Sequence, residues 1–144
     1  MQVVSRESAE KQIAKLFDYY EIDLAKRLKS DNADKAQAVA DDVKDILLRN
    51  VEMGRLEIDD DEDGSGIKIV QHLRRPVGGV NDIRYYEVTG KARTAIKDVD
   101  KGSPHQKIYA LLAAISKQPQ QVFFNLGGVD LTCAETLSTV FSLV

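Results

Sequence analysis

The sequence predicts an α+β fold with an N-terminal helical hairpin, a small antiparallel sheet of about three strands, and two or three C-terminal helices. Apolar residues recur every three or four positions up to about residue 53, which is typical of amphipathic helices. Between about residues 55 and 88 they alternate with polar residues, as in half-buried strands. The helical spacing returns in the last third of the chain. Helices and strands segregated along the chain in this way favour an α+β architecture.

The N-terminal hairpin consists of two predicted helices. The first fits residues 8–28, with Ser8 as its cap, and the second follows a turn at residues 30–32 and runs to about Met53. Gly54 is the expected C-cap of the second helix. The apolar face predicted for the second helix comprises Val39, Val43, Ile46, Leu47 and Val51. We therefore divide the chain into a helical extension, 1–53, and an α+β domain, 54–144, and one compact unit remains an alternative.

Turn-forming and helix-capping residues predict where the strands of the sheet and the last helices begin and end. A β-hairpin with its loop at residues 60–66 precedes the chain breakers Pro76 and Gly78-Gly79, and a third strand fits 82–88. A short helix is expected over 91–99. Ser103-Pro104 predicts the start of the next helix, which Pro119 ends. The capping-box pattern of residues 132–135 predicts the start of the last helix.

Composition and charge disfavour nucleic-acid-binding, disulfide-bonded and membrane proteins. The net charge of −3 divides into −7 over residues 1–67 and +4 over 68–144, and the chain has no tryptophan and only 6% aromatic residues. Such a balance is a weak basis for nucleic-acid binding, which we do not expect as the main function. Cys133 is the single cysteine, so no disulfide forms within the chain and a reducing compartment fits best. No apolar run reaches the length of about 20 residues that spans a bilayer, and the N-terminus lacks a signal pattern, so we expect a cytoplasmic protein without membrane association.

No motif for metal binding or catalysis is complete in this sequence. Residues 59–64 resemble the start of an EF-hand loop, but Val70 stands where the bidentate Glu is required. His72 and His105 have no cysteine or histidine at zinc-ligand spacing, and Cys133 fits a structural role on an apolar helix. We therefore expect no metal, no cofactor and no enzymatic activity.

The C-terminal half resembles the small tail assembly chaperones of long-tailed bacteriophages and prophages. The resemblance covers about residues 67–144, and residues 1–66 have no counterpart in it. Its elements, in order, are an apolar strand over 69–73, the segment Arg75-Pro76-Val77, a strand over 83–89 that leads into Glu87-Val88-Thr89-Gly90-Lys91-Ala92-Arg93, a helix over 108–115, and Val129-Asp130-Leu131 at the start of a last helix.

The resemblance implies a non-enzymatic chaperone that coats the long tape-measure protein and leaves it when tail-tube subunits assemble. Its partners would be the tape-measure protein and tail-tube assembly intermediates, and a homo-oligomer is an open alternative. Amphipathic helices can present an apolar stripe to a partner helix. The candidate partner-binding residues are Ile108, Leu111, Leu112, Ile115, Leu137, Val140, Phe141 and Val144. The alternative for most of them is that they form this domain's own core.

Two other classes of function stay open. One is a nucleic-acid-associated or regulatory protein of mobile-element origin that uses the basic C-terminal half. Its candidate residues are Arg74, Arg75, Arg84, Arg93 and Lys97. The other is a small enzyme whose site leaves no signature in the sequence.

Overall fold

In chain order, a three-stranded antiparallel sheet follows the N-terminal helices and precedes the C-terminal helices, which confirms the predicted α+β fold. The computed structural model describes residues 3–28, 32–97 and 104–144, and for Ile96 and Lys97 it describes the backbone alone. The elements of these residues, in chain order, are α1 (Arg6–Tyr19), α2 (Leu24–Arg27), α3 (Ala33–Glu52), β1 (Leu56–Asp60), β2 (Ile67–Val77), β3 (Val80–Tyr85), α4 (Gly90–Lys97), α5 (Pro104–Ser116), α6 (Gln120–Phe124) and α7 (Gly128–Phe141).

The first predicted helix is wrong in its extent, because the chain breaks it into α1 and α2. Glu21 has a φ of 53°, a left-handed conformation that cannot continue a right-handed helix. Asp23 then caps α2 by accepting a hydrogen bond from the backbone N–H of Lys26 at 3.3 Å. At the other end of α1, Ser5 rather than Ser8 is the N-cap, and its hydroxyl accepts from the backbone N–H of Ser8 at 3.1 Å.

The second predicted helix agrees with α3, and Gly54 follows it with a φ of 76°, as expected after a helix end. The apolar face predicted for this helix is wrong at one position, because Val39 is 47% exposed. The buried face is completed by the smaller Ala36 and Ala40. Part of the predicted turn before α3, residues 30 and 31, lies outside the described residues.

The sheet has the strand order β1-β2-β3, and its second hairpin is closed by Gly78-Gly79. These glycines have φ values of 55° and 81°, and Val77 pairs with Val80 across them. Two residues with positive φ match the turn that the twist of a two-residue hairpin requires. The third strand ends earlier than predicted, because the backbone N–H of Tyr86 donates to the carbonyl of Ile115 in α5 at 3.0 Å.

The C-terminal helices differ from the prediction mainly at their starts. α7 begins at Gly128, and Thr132 lies inside it with its hydroxyl donating to the Gly128 carbonyl at 3.2 Å, so the predicted capping box is wrong. Pro119 is the N-cap of the unpredicted helix α6. Pro104 begins α5 as expected. The predicted cap, Ser103, and the end of the predicted helix 91–99 lie outside the described residues.

One hydrophobic core is built from both parts of the chain. α7 packs against α3, α5 and β2, and the side chains of Leu47, Ile69, Leu112 and Leu137 are fully buried in the same cluster. The residues 1–53 and 54–144 therefore contribute to a common core, as in the compact-unit alternative.

Candidate functional site

The residues predicted to bind a partner lie mostly in the core. Ile108 and Val144 are half-buried and pack against the core from its edge. The other six are between 0% and 2% exposed: Leu111, Leu112, Ile115, Leu137, Val140 and Phe141. The ring of Phe141 lies 5.6 Å from that of Tyr85, which is itself fully buried. A partner could reach these six side chains only if the helices separated, and their role in binding stays a prediction.

An aromatic surface lies on α5 and α6, and we define it by His105, Tyr109 and Phe124. The rings of Tyr109 and Phe124 meet edge to face with centroids 4.9 Å apart. His105 stacks on Tyr109 at 6.4 Å, one helical turn earlier in α5. Phe124 is 49% exposed although it is one of the largest apolar residues of the chain.

The short helix α6 explains why one phenylalanine is exposed and its neighbour is not. Phe123 is fully buried, whereas Phe124 follows it on the outer face of the helix. Successive residues of a helix point in different directions, so in α6 one ring faces the core and the next faces outwards. The sequence prediction missed this helix and Phe124, and the adjacent pair of phenylalanines was the available signal.

The stretch of sequence that carries the aromatic surface has charges of one sign. Residues 104–128 contain Lys107 and Lys117 but no aspartate or glutamate. The aromatic surface therefore lies in a basic stretch, although the chain as a whole has a net charge of −3. An apolar surface in such a setting favours partners that carry acidic residues beside their apolar ones.

A buried polar network fixes α7 against the sheet. The carboxylate of Asp130 accepts from the backbone N–H groups of Arg74 at 2.9 Å and Arg75 at 3.0 Å. The Asp130 carbonyl accepts from the side-chain amide of Gln71 at 2.8 Å, and the Gln71 amide oxygen accepts from the Tyr85 hydroxyl at 2.6 Å. Burial raises the pKa of Tyr85 well above its usual value, so it remains a donor. Each of these polar groups has a hydrogen-bond partner, and together the bonds attach α7 to the sheet.

Two basic residues of the nucleic-acid alternative already have partners within the protein. Arg84 pairs with Glu62 at 3.4 Å and with Asp61 at 3.7 Å. Arg93 donates to the carbonyl of Val144. The side chain of Lys97 lies outside the described residues.

Arg74 and Arg75, by contrast, are exposed and border a groove of about 800 Å³ beside Gly127-Gly128. Neither guanidinium forms an ion pair within the described part of the chain. They are therefore the only two of the five candidates whose described side chains stay available for a phosphate backbone.

The acidic loop is held together by its own hydrogen bonds. Asp63 accepts from both the backbone N–H and the hydroxyl of Ser65, at 2.9 and 2.7 Å, and these bonds lower the pKa of Asp63. Lys15 pairs with Asp59 at 3.4 Å and Asp60 at 3.3 Å. Across residues 3–28, 32–97 and 104–144, no three histidine, cysteine or carboxylate side chains are grouped so as to hold a metal ion.

The surroundings of Cys133 and of His72 indicate that both residues have structural roles. Cys133 is 1% exposed, and burial raises the pKa of its thiol to about 12. His72 in β2 bridges the other two strands, with Nδ1 2.6 Å from Asp82 and Nε2 3.1 Å from Glu57. Both ring nitrogens are therefore engaged on the outer side of the sheet.

Comparison with known proteins adds no assignment. The chain matches no protein-family model, and no curated protein or solved structure resembles it significantly. No helix in the part of the chain that the structure describes combines the length and apolar composition that crossing a bilayer requires.

Proposed function

We propose that the protein is a non-enzymatic tail assembly chaperone of phage or prophage origin, which binds the tape-measure protein through the aromatic surface. The observation that carries the proposal is the Phe124 ring, half exposed and held edge to face on Tyr109. Aromatic side chains supply large contact areas and are enriched at the centres of protein interfaces. The resemblance of residues 67–144 to this family supports the same choice.

The aromatic surface suits an apolar helical segment with acidic neighbours. An amphipathic helix can lay its apolar side chains on the three rings, in the mode by which grooves recognise helices. Lys107, in the same helix as Tyr109, is exposed and can pair with a carboxylate of that segment. Such a chaperone would keep an aggregation-prone partner soluble in the cytoplasm of the bacterial host.

The buried residues named by sequence pattern have a supporting role in this proposal. Leu111, Leu112 and Ile115 hold α5 in the core, while Leu137 and Phe141 do the same for α7. Ile108 and Val144 retain partly exposed side chains that a partner can contact directly. Aspartate at a buried position would unfold the protein, so exposed positions give the cleaner test.

The test is co-expression with the tape-measure protein that this proposal expects to be encoded beside this chain. We expect the tape-measure protein to become soluble and to co-elute with the chaperone, because its apolar segments are covered. A partner that stays insoluble while both proteins express well, with nothing co-eluting, contradicts the proposal.

The second candidate is the nucleic-acid-associated protein of mobile-element origin, and the exposed pair Arg74 and Arg75 favours it. In that case retention on heparin or DNA falls steeply with salt, with a slope that reports several released counterions. Replacing both arginines by glutamine would reduce that slope by about 2 if each contacts one phosphate. A salt-independent, weak retention excludes this candidate.

A further inference from the structure

We propose that the groove beside Gly127 binds a carboxylate of the tape-measure protein through Arg74 and Arg75, next to the aromatic surface. The inference rests on the proposed function and adds a second contact region to it. The groove has a volume of about 800 Å³, and both arginines line it. The docking surface then has one aromatic and one cationic end. The bound segment lies in a defined direction, with its apolar side chains on Phe124 and its acidic side chain in the groove.

The groove and the aromatic surface meet at the end of α6. Phe124 is the last residue of that helix, and the next residue, Asn125, lines the groove. The Cα atoms of two neighbouring residues are about 3.8 Å apart. A partner helix of three turns is about 16 Å long, so a single segment can contact both regions.

An irregular stretch of β2 brings two arginines to the same groove. In a regular strand, two consecutive side chains point to opposite faces of the sheet. The pairing of β2 with β3 is irregular between His72 and Val77. Within this interval Arg74 and Arg75 are both exposed and line the same groove. The Asp130 carboxylate accepts from both of their backbone N–H groups, at 2.9 and 3.0 Å, and so holds the strand in this conformation.

The charges that line the groove leave one positive charge unbalanced. Neither Arg74 nor Arg75 has an acidic partner among the residues that the structure describes. Of the described residues that line the groove, Asp130 alone carries a carboxylate, and both of its oxygens accept backbone N–H groups. With the full charge of Asp130 counted, two cations still face one anion. One further carboxylate balances the groove, and a guanidinium can bind it through two parallel hydrogen bonds.

A single carboxylate fits this balance better than a nucleic acid does. A polynucleotide brings a row of phosphates, each with its own negative charge, and needs several cations along one surface. Arg84 and Arg93 have partners elsewhere in the protein. A helical protein segment offers apolar side chains for the rings and an acidic side chain for the arginines within a few turns.

Gly127 leaves room in the groove for the bound side chain. It is the N-cap of α7, and no side chain caps this helix. A Cβ atom added at Gly127 would have no atom within 4 Å beyond its chain neighbours. Its φ of −141° and ψ of 161° are extended values that any residue adopts. The position therefore accepts a side chain that reaches into the groove without strain in the backbone.

The first test measures the affinity of the whole chain for the tape-measure protein at low and at high salt. Arg74→Gln/Arg75→Gln should weaken binding about tenfold at low salt, and the difference should shrink at high salt because salt screens exposed charges. The matched control is Lys35→Gln/Lys91→Gln. Both lysines are exposed, lie outside the groove and have no acidic partner in the described part of the chain. This control should change the affinity by less than about twofold.

Two substitutions at Gly127 separate binding from folding. Aspartate and serine are both favoured N-cap residues, so Gly127→Asp and Gly127→Ser should keep or raise the thermal stability. Only the aspartate places a carboxylate beside the arginines, where it competes with the carboxylate of the partner. We expect Gly127→Asp to weaken binding about tenfold and Gly127→Ser to keep the affinity of the unmodified chain.

The outcomes distinguish this inference from the proposed function. If the unmodified chain does not bind the tape-measure protein, both are wrong. If the unmodified chain binds and Phe124→Asp does not, while the arginine variant or Gly127→Asp keeps the full affinity, the inference alone is wrong. Equal losses in the lysine control would indicate unspecific charge attraction and would also overturn it. Arginine-dependent retention of a DNA oligonucleotide, with no effect of the arginines on tape-measure binding, would assign the groove to nucleic acid instead.

Discussion

The carboxylate of Asp130 in α7 accepts a hydrogen bond of 2.9 Å from the backbone N–H of Arg74 in β2. It accepts a second one, of 3.0 Å, from the N–H of Arg75. The pairing of β2 with β3 is irregular between His72 and Val77, and the aspartate provides acceptors in that interval. One side chain thus completes the hydrogen bonding of the strand and attaches the last helix to the sheet.

Replacing Asp130 should therefore destabilise the whole fold. We expect Asp130→Ala to lower the free energy of unfolding by about 2 to 4 kcal/mol, because two backbone donors lose a charged acceptor in a buried place. Asp130→Asn should cost less, since the amide oxygen can keep one of the two bonds. Urea denaturation measures both, with the exposed Asp42→Ala as control, for which we expect a change within about 0.5 kcal/mol. A loss as small as that of Asp42→Ala would contradict the structural role of Asp130.

Leu137 and Phe124 should differ sharply in their contribution to stability. Leu137 is fully buried, so Leu137→Ala removes apolar contacts and leaves a cavity that costs about 2 to 5 kcal/mol. Phe124→Ala should cost about 1 kcal/mol or less, because the half-exposed ring loses mainly its contact with Tyr109. Thermal or urea denaturation of the two variants compares them directly. Similar losses would mean that Phe124 belongs to the core.

Cys133 should be unreactive in the folded protein. Burial raises the pKa of its thiol to about 12, so almost no thiolate exists near pH 8, and the side chain is 1% exposed. We expect an aromatic disulfide reagent to modify native protein only at the rate of unfolding and to modify denatured protein at once. Rapid reaction of one thiol per native chain would place Cys133 at the surface.

Stability should decline at alkaline pH. The folded state raises the pKa of Cys133 from 9.0 to about 12 and that of Tyr20 from 10.0 to about 12, in both cases mainly through burial. The folded chain then holds these protons more tightly than the unfolded chain does, so their stabilising effect is complete below about pH 9 and is lost as the pH rises towards 12. Urea denaturation at pH 8 and pH 10.5 should show this decline, and Cys133→Ala should reduce it. A pH-independent free energy of unfolding over that range would contradict the assignment.

Local spacing was sufficient for the order of elements and for the helices that have a regular apolar face. It predicted α3, the first hairpin and the start of α5 at Pro104, because these depend on residues close in sequence. The break between α1 and α2 was missed, and the residues just before it contact a distant part of the chain. Tyr19 donates to Glu87, and Tyr20 accepts from the backbone N–H of Val88. No pattern within the helix itself reveals those contacts.

The candidate site could be predicted only in part, because periodicity shows which residues share a face and not what that face contacts. The stripe that includes Leu137 and Phe141 is real, but in this structure it contacts the protein's own core. Phe124 lies in a helix of five residues, too short to show any period. The sequence pattern shows Asp130 only as part of an apolar segment, because its role depends on an irregular strand about 55 residues earlier in the chain.

The most direct measurement of the proposed function compares two surface variants in co-expression with the tape-measure protein. Phe124→Asp places a charge on the aromatic surface, and Val39→Asp places one at a position of similar exposure, 47% against 49%, on α3. We predict that Phe124→Asp leaves the tape-measure protein insoluble and abolishes co-elution, whereas Val39→Asp behaves like the unmodified chain. Equal co-elution of both variants, with both folded, would contradict binding through the aromatic surface.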